Sequence, residues 1–186
     1  MKTCGDSIRV MHPLFHSGDS GSIPTSPLQM WVEPISFDFA LELNGAWHSR
    51  LPKMGVGCVK RMPFPCFAAT YEGKIYAVAI WSNPVARNLP QKEWLELRRL
   101  AHSPEAPKNT GSWMLSVMCQ ILHQTRPWLT TFISYSDMDV HKGTIYSAAG
   151  WVKTAVNKDG NWTRQSRPRP AAQSIAAKQR WEKKWR

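Results

Sequence analysis

The run CFAATYEGKIYAVAIWS, Cys66 to Ser82, constrains this chain more than any other stretch. Two β-prone segments flank Glu72-Gly73-Lys74, and a glycine-bearing break between such segments is the chemistry of a tight hairpin. The next segment, EWLELRRLAHS, sets Trp94, Leu95, Leu97 and Leu100 among charges and reads as a further strand, which extends the hairpin to an antiparallel meander.

The flanks alternate between the two regular periods. MWVEPIS, from Met30, reads as a first strand, and FDFALELNGAW spaces Phe37, Ala40, Leu41 and Leu43 or Ala46 at a period nearer to 3.6 than to 2, which predicts a helix over about 38–46. HSRLPKMG follows as a loop, because Pro52 and Gly55 interrupt regular structure. After PEAPKN, the residues Trp113, Met114, Val117, Met118, Ile121 and Leu122 stand at helical spacing, so a helix starts near Thr110. WLTTFISYS reads as a strand, HKGTIYSAAGW as a short helix that Gly150 ends, and WVKTAVNKDGNWTRQS as a closing hairpin turning at Lys158-Asp159-Gly160. The order β, α, meander, α, β, α, β predicts an α/β fold: one domain with a mixed, mostly antiparallel central sheet flanked by helices. The expected limits are an irregular segment over 1–28, the domain over 29–166 and a basic C-terminal tail over 167–186.

Charge narrows the partner. Lys plus Arg number 24 against 13 Asp plus Glu, and the formal charge of +11 favours an anionic partner such as nucleic acid. Arg164, Arg167, Arg169, Lys178, Arg180, Lys183, Lys184 and Arg186 share the last stretch with one acid, Glu182, which predicts a cationic arm that holds nucleic acid. Trp162, Trp181 and Trp185 lie amid that charge, a combination suited to gripping unpaired or distorted strands. Cys4, Cys58, Cys66 and Cys119 lack paired C-x-x-C spacing, so neither a zinc knuckle nor a disulfide framework is expected, and a reducing cytoplasm fits. No apolar run approaches the roughly 18 residues that span a bilayer, and no membrane partner is expected.

The stretch SYSDMDVHKGTIYSAAGW concentrates the chemistry. Asp137 follows a strand, a common place for a functional group in an open sheet; it can accept a proton, hold an amine or cap a helix. Asp139 and His141 complete a D-x-D-x-H run, readable as metal ligands, as surface caps or, for His141, as a base or nucleic-acid contact. Tyr146 is either a proton donor or a core tyrosine. Arg98 and Arg99 are adjacent on a strand, so one of the two faces a cleft, and Arg99 is preferred. Lys108, Asn109, Thr110 and Ser112 surround a helix start, where donors can hold an ester carbonyl or phosphate or simply cap the helix. Trp47, Trp81 and Trp113 lie near these residues in sequence and are candidates to stack on an extruded base.

LRRLAHSPEAPKNTGSWMLS and GTIYSAAGW together resemble the GNAT-type acyltransferase fold. With WHSRLPKMG and SYSDMDVHKGTIYSAAGW added, the chain resembles the phage Mom family of DNA-adenine modification proteins over about Trp47 to Val152. The resemblance implies a transferase that converts adenine N6 of phage DNA to the carbamoylmethylamino form and so protects the DNA from host restriction, in the cytoplasm of an infected bacterium. It implies an acceptor loop at His48, Ser49 and Arg50, with His48 as base or base-edge contact, and it favours catalytic roles for Asp137 and Tyr146.

Two donors are open. Acetyl-coenzyme A enzymes of this fold cradle the pyrophosphate on a Gly-rich turn at a helix N-terminus, whereas APKNTGSW offers one glycine, Gly111. A carbamoylmethyl group is a glycine amide, so glycyl-tRNA is the donor expected first, with acetyl-CoA or a metal such as iron after it. DNA, and tRNA with it, are the expected partners. An acetyl-CoA-dependent N-acetyltransferase and a non-catalytic DNA-binding anti-restriction protein are the alternatives.

Overall fold

The computed structural model describes residues 10–11, 30–48, 65–157 and 176–185. Its elements in chain order are β1 (Val10–Met11), β2 (Trp31–Pro34), α1 (Phe37–Trp47), β3 (Cys66–Tyr71), β4 (Lys74–Ser82), β5 (Trp94–His102), α2 (Thr110–Thr125), β6 (Thr131–Asp137), α3 (Thr144–Ala148), β7 (Val152–Asn157) and β8 (Lys178–Lys184). They form one eight-stranded sheet in the order β1-β2-β3-β4-β5-β6-β8-β7. Only β5 and β6 run parallel; every other pair is antiparallel. The mixed sheet expected from the sequence is therefore present.

Local chemistry explains the elements. Glu72 (φ 47°) and Gly73 (φ 75°) form the two-residue turn between β3 and β4; positive φ at both positions is what a primed hairpin turn requires. Helix α1 is capped by Ser36, whose side chain accepts from Phe39 N–H at 3.3 Å, and carries Asp38 in its first turn. Alternation along the central strands then separates two cores. On one face Phe67, Ala77, Ala79, Trp81, Leu95 and Leu97 pack against Met114, Leu115, Met118, Cys119 and Leu122 of α2. On the other, Cys66, Val78, Ile80 and Ala101 pack against Ala40, Phe37, Leu41, Leu43 and Trp47 of α1.

The C-terminal segment departs from the expected arm. Lys178–Lys184 is strand β8, paired on one side with β6 from Thr131↔Lys184 to Asp137↔Lys178 and on the other with β7. The expected turn at 158–160 lies outside the described residues, and the partner of β7 is β8. Charge hid the strand, because KQRWEKK has a single large apolar residue. Trp181 is 1% exposed and anchors it, stacked on Tyr146 with ring centroids 5.3 Å apart. Arg180 is bound to Glu182 at 2.9 Å, and Lys183 Nζ reaches the carbonyls of Ala149 and Gly150 at 3.4 and 3.3 Å, just past the C-terminus of α3. The N-terminal segment also contributes regular structure, since β1 extends the sheet beside β2.

Candidate active site

The site grows from an interruption in the sheet. β5 and β6 pair over Trp94–Leu97 and Thr131–Ser134 and then part, although β5 runs on to His102 and β6 to Asp137. A wedge opens between them at their C-terminal ends, the usual location for a ligand in a sheet with parallel strands. Ser134 holds the apex: its Oγ donates to the carbonyl of Leu97 at 3.2 Å and accepts from Tyr146 Oη at 2.8 Å. With the single serine proton committed to Leu97, the tyrosine is the donor of the second bond.

A bulge in β5 aims the arginines. Arg99 pairs with Ile80 and Leu97 with Trp81, which leaves Arg98 without a partner residue. The bulge shifts the alternation, so Leu97 and Leu100 both pack toward α2, while Arg98 and Arg99 belong to the α1 face. The expectation that adjacent arginines point apart fails at this residue. Arg98 Nε lies 3.3 Å from Glu96, whose other carboxylate oxygen accepts from Val85 N–H at 2.9 Å.

Arg99 forms no ion pair among the described residues, although the Glu96 charge acts on it from a distance. Arg99 is 9% exposed; Nη1 donates to the carbonyl of Arg98 at 2.8 Å, and the buried Nε has no hydrogen-bond partner among the described residues. Burial first, and then the charge of Arg98, lower its pKa to about 10, which leaves it cationic at neutral pH. A buried guanidinium with an unused donor is costly unless an acceptor arrives. His48 stands close by at the end of α1, its pKa lowered by burial and then by the charges of Arg99 and His141. The charges of Arg99, on β5, and His141, in the turn after β6, thus both act on His48 at the end of α1.

The remaining candidates divide. Asp137 closes β6 and caps no helix: its carboxylate accepts from Asp139 N–H at 3.0 Å and its carbonyl from His141 N–H at 2.9 Å, which folds the turn. His141 precedes α3 and is not on the same helix as Tyr146. Among the described residues no group of His, Cys, Asp or Glu gathers as a metal site, so the D-x-D-x-H run does not converge as ligands. Tyr146 is 7% exposed, hydrogen-bonded to Ser134 and held between Trp181 and Trp151; burial raises its pKa. Trp81 and Trp181 are core residues, with Trp81 Nε1 directed at Met118 Sδ, and Trp185 stacks on His123. Arg180 and Lys183 are engaged within the fold as described, Lys184 is exposed and Lys178 half-buried. Ser49, Arg50, Arg164, Arg167, Arg169 and Arg186 lie outside the described residues.

On the α2 side, Asn109 starts the helix in the left-handed region (φ 66°) and makes no side-chain cap. Ser112 Oγ bonds back to Asn109 O and Thr110 Oγ1 to Pro107 O, while the N–H groups of Gly111 and Ser112 have no backbone acceptor among the described residues. Those two donors, with exposed Lys108 beside them, fit a phosphate or a carbonyl oxygen. Gly111 has a packing reason of its own: a Cβ there would lie 2.6 Å from His102 Nε2.

Sequence reasoning missed Ser134, Glu96 and Tyr135. Burial raises the pKa of Tyr135, and the charges of Glu96, Arg180 and Glu182 also act on it. The signal was available in TFISYSD, where Ser134 and Ser136, two apart on an otherwise apolar strand, share one buried face.

The fold is that of acetyltransferases. A Bacillus subtilis acetyltransferase in complex with CoA superimposes with a TM-score of 0.58 at 12% identity, covering 83% of this chain and 98% of that one. An aminoglycoside acetyltransferase in complex with coenzyme A and kanamycin gives 0.59 at 11%, covering 83% and 94%. The Escherichia coli ribosomal-protein-alanine N-acetyltransferase gives 0.54 at 9%, covering 82% and 92%. No curated protein matches the sequence, and among the described residues no helix is long and apolar enough to cross a membrane. The model of the Mom protein family matches residues 74–185, from the first residue of β4 through β8 and more than half of the chain, and the chain belongs to that family.

Proposed function

We propose that this protein is a transferase that modifies DNA, delivering a glycine-derived unit to the exocyclic N6 of adenine in phage DNA within an infected bacterium. The observation that carries the reading is Arg99, a buried guanidinium whose Nε–H has no acceptor among the described residues, with its charge acting on His48, whose imidazole is held below its ordinary pKa. That pair supplies an electrophilic contact for an acyl oxygen and a neutral base for an amine proton. Family membership and the acetyltransferase fold support the reaction class.

The chemistry balances without an oxidant. Adenine N6 attacks the carbonyl of a glycyl ester, the ester oxygen leaves as an RNA hydroxyl, and His48 takes the N6 proton. The freed glycyl amine then attacks ring C6 and the original C6–N bond breaks, so the former N6 becomes the carboxamide nitrogen. The product is an isomer of N6-glycyl-adenine and carries the carbamoylmethyl group. In this reading Asp137 holds the turn that carries His141, and Arg99 bears the developing charge of the ester carbonyl.

A second reading, N-acetyl transfer from coenzyme A, is favoured by the N–H groups of Gly111 and Ser112, which have no backbone acceptor among the described residues. The test is nucleoside mass spectrometry of plasmid DNA from cells given labelled glycine and expressing wild type, Arg99→Ala or Asp137→Ala. Labelled carbamoylmethyl-adenosine in wild type and its loss in Arg99→Ala is the expected result. Unmodified DNA from folded wild-type protein, with coenzyme A binding in calorimetry, overturns the glycyl reading.

A further inference from the structure

The far end of the sheet carries an exposed aromatic and a group of cations that the reaction cleft does not use. β5 and β6 are parallel, so their N-terminal ends lie together, and β4 and β8, antiparallel to them, finish at the same end. Backbone bonds tie the loops there: Thr130 N–H donates to Glu93 O at 2.8 Å and Trp185 N–H to Thr130 O at 2.9 Å. At about 3.3 Å per residue, the three steps from Trp94 to Leu97 put this end roughly 10 Å from the apex of the wedge, and the eight steps to His102 put it roughly 26 Å from the mouth.

Trp128, in the α2–β6 connection, is 60% exposed. Its ring takes part in none of the aromatic contacts of the described residues. The loops and the strand end that meet at this end of the sheet carry exposed Arg87, Lys92 and Lys184 and half-buried Arg126, against one exposed acid, Glu93. None of the four cations is in a salt bridge among the described residues. Elsewhere on β8, by contrast, Arg180 is bound to Glu182 and Lys183 to carbonyls.

We infer that this end is a second nucleic-acid site, in which Trp128 stacks on an unpaired base while Arg87, Lys92, Arg126 and Lys184 hold the adjoining phosphates. An exposed indole offers its face to any base, but bases within a duplex already have their faces covered, so a lone platform selects single strands. Unpaired cations supply the sequence-independent part of the affinity. The site is distinct from the acyl-transfer cleft and does not depend on the chemistry proposed there.

The test uses fluorescence anisotropy of the full-length protein with labelled oligothymidylate, oligouridylate and a DNA duplex across a salt series, and phosphatidylserine vesicles as a separate arm. Trp128→Ala is expected to weaken single-strand binding about tenfold and duplex binding far less. Arg87→Gln/Lys92→Gln/Arg126→Gln is expected to lower the single-strand salt slope by about 2. Lys74→Gln, at the opposite end of β4, serves as the surface-charge control and should leave single-strand binding in place. A preference for oligouridylate or for oligothymidylate identifies the strand as RNA or DNA. Trp128→Tyr preserves a stacking face and should retain binding, which separates loss of stacking from loss of fold. Unchanged affinity in Trp128→Ala, equal losses for duplex and single strand, or vesicle binding without oligonucleotide binding overturns the inference.

Discussion

Three glycines with nearly the same backbone angle permit a controlled experiment. Gly73, Gly150 and Gly143 have φ of 75°, 72° and 73°, so replacement by alanine costs each the same left-handed strain. That strain is about 1–2 kcal/mol, offset by up to about 1 kcal/mol from the loss of freedom in the unfolded chain. Their surroundings differ. A Cβ on Gly73 meets nothing within 4 Å, one on Gly150 lies 3.0 Å from Lys183 Nζ, and one on Gly143 falls 2.1 Å from Trp181 Cζ2. Trp181 cannot withdraw, because it is 1% exposed, stacked on Tyr146 and hydrogen-bonded to Ser136 at 2.9 Å. Overpacking of this kind adds about 1–3 kcal/mol. Gly73→Ala and Gly150→Ala should therefore each lose about 1 kcal/mol and Gly143→Ala about 2–4 kcal/mol. Urea unfolding read by tryptophan fluorescence measures all three, with the slope checked for constancy. Equal losses at Gly73 and Gly143 would refute the packing of the α3 N-terminus on Trp181, and with it the placement of Tyr146.

Other expectations follow from the same contacts. Tyr146→Phe removes the bond to Ser134 and should cost about 1 kcal/mol; if the hydroxyl only braces the apex of the wedge, DNA modification persists, and abolished modification at full stability would make it a proton donor instead. Arg180→Ala strands Glu182, which is 4% exposed, and should cost about 3 kcal/mol; a loss below about 1 kcal/mol in urea unfolding would mean that water reaches the carboxylate. His48 and His102 both have folded pKa values lowered from 6.5, chiefly by burial, so the unfolded chain binds more protons as pH falls below that value. Their contribution to stability is whole above about 6.5 and declines toward the folded values, and thermal melts of wild type and His102→Gln should diverge less below that pH than above it.

The sequence by itself determined the elements. The Glu72-Gly73 hairpin, the apolar stripe of α2 and the β-branched and aromatic run of β6 are local patterns of period 2 or 3.6, and each forms where its spacing placed it. The resemblance in LRRLAHSPEAPKNTGSWMLS and GTIYSAAGW likewise led to the acetyltransferase fold and the Mom family. Tertiary structure decided what no window of sequence contains. Whether KQRWEKK is an arm or a strand depends on the open edge of β6, which lies far away in the chain and gives its backbone groups partners. The direction of Arg99 depends on one unpaired residue, Arg98, in the register with β4. The availability of that arginine for a ligand is set by Glu96, whose carboxylate is already shared between Arg98 and Val85. Periodicity is a property of neighbours along the chain, whereas register, counter-ion choice and burial are properties of neighbours in space.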